Sequence, residues 1–174
     1  MIDVELTDPT HLTAGYTGQP GARTFFVQAA DERTQVTLQA EKGQVAGIAE
    51  LLGQLLARLD DAPATDWDHD AMALRRPIEP RWQIGTIQVG LDPEGGRFLL
   101  ELSEFVVEDE VTGQAPEPRE VRIWADQDQA RRLAAHGEEV IGQGRPRCEL
   151  CGRPTDLDGA HVCPSTNGHG RLHR

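Results

Sequence analysis

A chain of 174 residues with 38% hydrophobic content can bury one core and carry a small appendage. Its net charge of −12, from 29 acidic against 17 basic residues, disfavours broad binding to nucleic acid or anionic membrane surfaces. No stretch reaches the roughly 20 apolar residues that cross a bilayer, and the opening MIDVELTDPTHL lacks the apolar segment of a signal peptide. The expectation is therefore a cytoplasmic protein with no membrane partner.

In chain order, residues 2–6 (IDVEL) alternate Ile2, Val4 and Leu6 with acidic residues and read as an edge strand. The segments 11–18 (HLTAGYTG), 24–30 (TFFVQAA) and 34–40 (TQVTLQA) follow as strands. The breaks GQPGAR and DER between them are turns, because Pro and Gly set turn dihedrals and Asp tolerates them. Residues 41–59 then space Val45, Ile48, Leu51, Leu52, Leu55, Leu56 and Leu59 as one apolar helical stripe. Residues 61–80, with their prolines and acidic cluster, read as a linker. Asp66, Asp68, His69 and Asp70 in that stretch have the chemistry of hard-metal ligands, but charge blocks are usually solvated, and an exposed acidic loop is the expectation. Strands at 81–91, 97–107 and 119–125 lead to a second helix at 126–144, on which His136 reads as a boundary residue.

The two blocks repeat one order. A shift of 73 places Pro20 on Pro93, Phe25 on Phe98 and Gln28 on Glu101; a shift of 85 places Val36 on Val121, Leu38 on Ile123, Ala40 on Ala125 and Gln44 on Gln129. The longer loop before residue 119 absorbs the difference. Glu41-x-x-Gln44 and Asp126-x-x-Gln129 both have capping-box spacing, with Asp126 the better N-cap residue. Chance similarity of two amphipathic β-α units is the competing explanation. The duplication predicts an α+β fold of two pseudo-symmetric β-β-β-α halves with antiparallel sheet, residues 1–60 and 81–144, which bury each other's helices and sheet faces.

All three cysteines fall in residues 145–174, which hold five arginines against three acidic residues; this tail is thus +2 and the first 144 residues −14. Cys148-x2-Cys151 has the spacing of a zinc knuckle, and His161-x-Cys163 completes a Cys3His set suited to a closed tetrahedral ion. Arg145 and Arg147 favour thiolate formation, and Gly152 allows the left-handed turn such knuckles use. His169 and His173 are alternative imidazole ligands. A redox Cys-x2-Cys pair would need a preceding strand and a following long helix, and the pattern supplies neither. An iron–sulfur cluster usually takes four cysteines. With Leu150, Leu157 and Val162 as nearly its only apolar residues, the tail needs Zn2+ as a structural substitute for a core. A small zinc-knuckle or ribbon tail is the expectation, with no open position for catalysis.

Three stretches, GYTGQPGARTFFVQA, EKGQVAGIAELLGQLL and GRPRCELCGRPTDLDGAHVCPSTNGHGR, resemble an uncharacterised actinobacterial family, a domain of unknown function. The resemblance spans nearly the whole chain. Ala160 and Ser165 depart from the family pattern without touching the four ligands. The resemblance implies no assigned activity. It implies an association with phosphomutase-like and phosphoinositide-kinase-like proteins as partners.

Three functions fit these features. The first is a non-catalytic binding or adaptor protein with a protein partner. The second is an enzyme or ligand-binding protein for a phosphorylated metabolite held between the halves. For it, Arg23 and Arg97 end two matching Gly-containing turns, with Gln28, Glu101, Glu41 and Asp126 as polar partners. The third is nucleic-acid binding through the tail, opposed by the acidic body and by the absence of aromatics among its basic residues. The first is the preferred reading, since no nucleophile triad or Gly-rich phosphate loop is legible.

Overall fold

The computed structural model describes residues 1–59, 68–92, 94 and 96–142. The chain opens on β1 (Ile2–Leu6) and runs through β2 (His11–Thr17), β3 (Thr24–Ala30) and β4 (Gln35–Ala40) into α1 (Lys42–Ala57). It continues with β5 (Ile84–Asp92), β6 (Arg97–Glu104), β7 (Glu120–Ala125) and α2 (Gln127–Gly142). The described residues form an α+β fold with two sheets and two helices. β2-β3-β4 form an antiparallel meander, and so do β5, β6 and β7.

Each helix starts where the periodicity changes. Asp126 accepts from the Gln129 backbone amide at 2.7 Å, and Gln129 Oε1 accepts from the Asp126 amide at 3.0 Å, a complete capping box. At α1 the Glu41 amide donates to Gln44 Oε1 at 2.9 Å. Both helices turn their apolar faces inward: Val45, Ile48, Leu52 and Leu56 from α1 meet Ala130, Leu133 and Val140 from α2. Gly137 lets the helices approach closely, because a β-carbon there would stand 3.2 Å from that of Ala49. One continuous core joins these side chains to Phe98, Leu100 and Leu102 of one sheet and Val27, Val36 and Leu38 of the other.

The blocks complete one another at their edges. β1 precedes the first meander, yet it pairs in parallel with β7 of the second, Leu6 opposite Ile123. The segment before β5 runs in parallel beside β4 of the first: Gln39 bridges Gln83, the Gln39 amide donates to Trp82 O at 2.9 Å, and the Arg81 amide donates to Thr37 O at 2.9 Å. The expected antiparallel sheet is thus mixed, in order β1-β7-β6-β5, because its edge strand comes from the start of the chain. The N3 glutamines reach across in the same sense. Gln44 Nε2 donates to Ile84 O at 2.9 Å, at the start of the second meander, and Gln129 Nε2 donates to Pro9 O, just ahead of the first.

The segment from residue 68 to 78 lies as a strap across the outer face of β2-β3-β4. Alternation would leave that face polar, but β2 and β3 are buried on both sides. Thr13, Gln28 and Thr37 form one cross-strand row beneath the strap, and all three are buried. Thr13 Oγ1 donates to Met72 O. Gln28 grips the Arg75 backbone in both directions: Nε2 donates to Arg75 O at 2.9 Å, and Oε1 accepts from the Arg75 amide at 2.7 Å. Met72 and Phe26 are buried outside the central core. Leu74 sits directly over Gly15, where a β-carbon would meet its Cγ at 2.7 Å, so glycine is required there for the strap to close.

Candidate functional site

Arg97 and Arg23, the two turn arginines, are both engaged by the fold. Arg97 begins β6, and its guanidinium donates to Thr7 O and to Trp124 O, tying the β1–β2 connection to β7. Arg23 lies over the Tyr16 ring, 4.0 Å from its centroid, a cation–π contact within the first sheet. Arg97 borders an open depression of about 540 Å³ at the start of α2, with Asp8, Gly96, Asp126, Gln127 and Asp128 as the other walls. With Asp128 paired to Arg131, Asp126 engaged by the helix start and the Arg97 guanidinium already bonded to carbonyls, the depression offers no ready cationic group for a phosphate.

The polar partners nominated with those arginines have structural duties. Gln28 clamps the strap. Glu101 pairs with Arg122 at 3.0 Å on the outer face of its sheet, and Glu41 and Asp126 serve their helix starts. The expected zinc ligands Cys148, Cys151, His161 and Cys163, with the alternatives His169 and His173, lie outside the described residues, as does Asp66. Asp68, His69 and Asp70 are exposed, as an acidic loop should be. His69 nonetheless comes to 3.6 Å from Glu139 on α2, beside His136. This meeting was not legible from the linear pattern, apart from the one-turn spacing of His136 and Glu139.

His11 is a buried titratable group under the strap, 4% exposed. Burial first, then the Arg75 charge, pushes its pKa below the ordinary value of 6.5. The folded chain therefore resists a proton that the unfolded chain accepts near pH 6.5, and stability falls as pH drops below that value. Thermal unfolding should show a lower midpoint at pH 5.5 than at pH 7.5, and His11→Gln should flatten that dependence.

The second sheet also presents an edge that, beyond the Ile84 and Gly85 carbonyls held by Gln44 Nε2, is uncapped among the described residues. β5 ends the sheet order, and among the described residues no strand pairs with its outer side. Its sequence from Ile84 to Leu91 contains no charged residue and no proline, the usual devices by which an edge is made unattractive to another chain. Beyond its start, Phe105 donates its amide to Gln83 O at 2.7 Å and is 57% exposed; Val107 and Val111 of the same loop are exposed as well. Neutral backbone along one side and apolar side chains at one end form a surface on which an extended segment can add as a further strand.

Comparison with known proteins agrees with an unassigned role. The family model described as protein of unknown function, DUF3090, matches residues 4–163, and the chain belongs to that family. No curated protein and no solved structure matches it. Among the described residues no helix is long and apolar enough to cross a membrane.

Proposed function

We propose that this DUF3090 member is a non-catalytic binding or adaptor protein of the cytoplasm, built from two duplicated β-β-β-α halves and a C-terminal zinc tail. The observation that carries the reading is the β5 edge: nine residues long, without charge before Asp92, and bordered by exposed Phe105, Val107 and Val111. The partner is a protein that contributes an extended, neutral segment to this edge. Duplication with approximate two-fold pseudo-symmetry is supported by the reciprocal edges, in which each lead-in segment runs beside the last strand of the other half. The crossed reach of Gln44 and Gln129 supports it as well.

In the tail, Cys148, Cys151, His161 and Cys163 hold a structural Zn2+. The basic tail on an acidic body gives a second, electrostatic contact for the partner. Purified, tag-free protein should contain one zinc that Cys148→Ser releases, by elemental analysis. The edge is tested by recovering partners from the native cytoplasm with wild-type protein and with Thr86→Lys/Gln88→Lys. Both of these side chains are exposed on β5, and lysine on an edge strand discourages pairing. A protein identified with the wild type and lost with the variant supports the reading. Phosphomutase-like and phosphoinositide-kinase-like proteins are the family-associated candidates. Equal recovery by both forms, or a tightly held small molecule in the purified protein, contradicts it.

A further inference from the structure

Two imidazoles and a carboxylate from distant parts of the sequence meet beside the second half of α2. His136 and Glu139 stand one turn apart on that helix and share a face. His69 arrives from the turn that opens the strap. Glu139 Oε2 lies 3.6 Å from His69 Nδ1 and 3.9 Å from His136 Nδ1, and one donor atom from each residue falls within 4.8 Å of the others. Bonds of about 2.0–2.1 Å at tetrahedral angles put neighbouring ligand atoms about 3.4 Å apart. The two carboxylate–imidazole separations are therefore near those of a loaded site.

We propose that His69, His136 and Glu139 form a three-ligand site for a divalent first-row cation, zinc foremost, with a fourth position open to solvent. The state of His136 carries the argument. Its side chain is 13% exposed, and its Nδ1 is buried without a hydrogen-bond partner. The ring also lies against the backbone of Ala14 on β2. Without a hydrogen-bond partner among the described residues, Nδ1 stands 3.9 Å from Glu139 Oε2. A lone pair facing a carboxylate oxygen gains nothing by itself; a cation between them satisfies both.

The third ligand is carried on an anchored turn. The Met72 amide donates to His69 O at 3.1 Å, the Asp70 amide donates to Asp68 Oδ1 at 2.9 Å, and buried Met72 is in turn held by Thr13. Two imidazoles with one carboxylate suit zinc or its first-row neighbours, whereas calcium and magnesium favour all-oxygen sets. His69 and Glu139 have side chains 69% and 42% exposed, so the mouth of the site is open while its floor at His136 is closed. The site contains no cysteine and does not depend on the tail.

Full-length protein equilibrated with Zn2+ is expected to bind one more zinc per chain than either His69→Ala or Glu139→Gln. In competition with a chromophoric chelator, each variant should lose affinity at this site by more than about 100-fold, since displacing even an outer-shell partner costs 10–100-fold. The same difference of one zinc should persist in a Cys148→Ser background, so the outcome is read independently of the tail. Both altered side chains are exposed, and far-UV circular dichroism should match the wild type. In the Cys148→Ser background, zinc should also raise the melting temperature of protein with the three ligands intact and leave both variants unmoved. Zinc content and affinity unchanged in either variant would overturn the assignment, as would a wild type that takes up no zinc lost from the variants.

Discussion

Phe98→Ala is expected to destabilise the protein by about 3–5 kcal/mol, the range for deleting a fully buried aromatic side chain. Phe98 is 0% exposed on the inner face of β6, opposite Leu91 on one side and Ala125 on the other. It belongs to the core that both sheets and both helices share, so the cavity opens where no single element can collapse into it. Against a total stability of about 5–15 kcal/mol for a domain this size, the loss is a large fraction. Chemical denaturation should show a lower midpoint with an unchanged slope. A loss under about 1 kcal/mol would mean that β6 is not central to the core.

Gln28→Met tests the strap with little change in volume. The substitution removes both hydrogen bonds to the Arg75 backbone and the donation from Nε2 to Thr37 Oγ1 at 2.9 Å. Each buried polar group left unsatisfied costs about 1–3 kcal/mol, unless the strap lifts and water replaces the lost partner. The expected result is a stability loss of about 2–3 kcal/mol together with faster tryptic cleavage after Arg75, whose peptide groups the wild-type side chain holds. Resistance to trypsin equal to that of the wild type would show that Met72 and Leu74 hold the strap without the clamp.

The strands and helices were legible because their periods were clean. The stripe from Val45 to Leu59 and the alternation of Ile2, Val4 and Leu6 each formed the expected element, although Leu51 and Leu59 of the stripe stand exposed. The partner of β1 was not legible, because alternation fixes which face is buried and is silent on which edge is joined. The strap was missed for a related reason. Thr13, Gln28 and Thr37 look like the outward row of a half-exposed sheet, and their burial depends on backbone groups some forty to sixty residues away in sequence. The adjacent Phe25 and Phe26 were the available hint, since neighbouring residues on a strand point to opposite faces and both are buried.

The candidate site followed the same division. Arg23 and Arg97 were found from turn chemistry, but their partners, the Tyr16 ring and the Thr7 and Trp124 carbonyls, are tertiary, and these engage both arginines within the fold. His136 looked like a boundary residue because its helix position is all that the pattern reveals. Its meaning comes from Ala14 on one side and from Glu139 and His69 on the other.

The two blocks are joined by exchange at their edges. β1 completes the second sheet, the segment before β5 flanks the first, and one core runs through both. Neither block then has a closed sheet or a covered helix when alone, and the two should behave as one cooperative unit. The direct measurement is to produce residues 1–59 and 68–174 as separate chains and follow far-UV circular dichroism and thermal melting, apart and mixed. No cooperative melt is expected for either fragment alone, and a single transition should return on mixing. A fragment that melts cooperatively by itself, unaffected by the other, would contradict it.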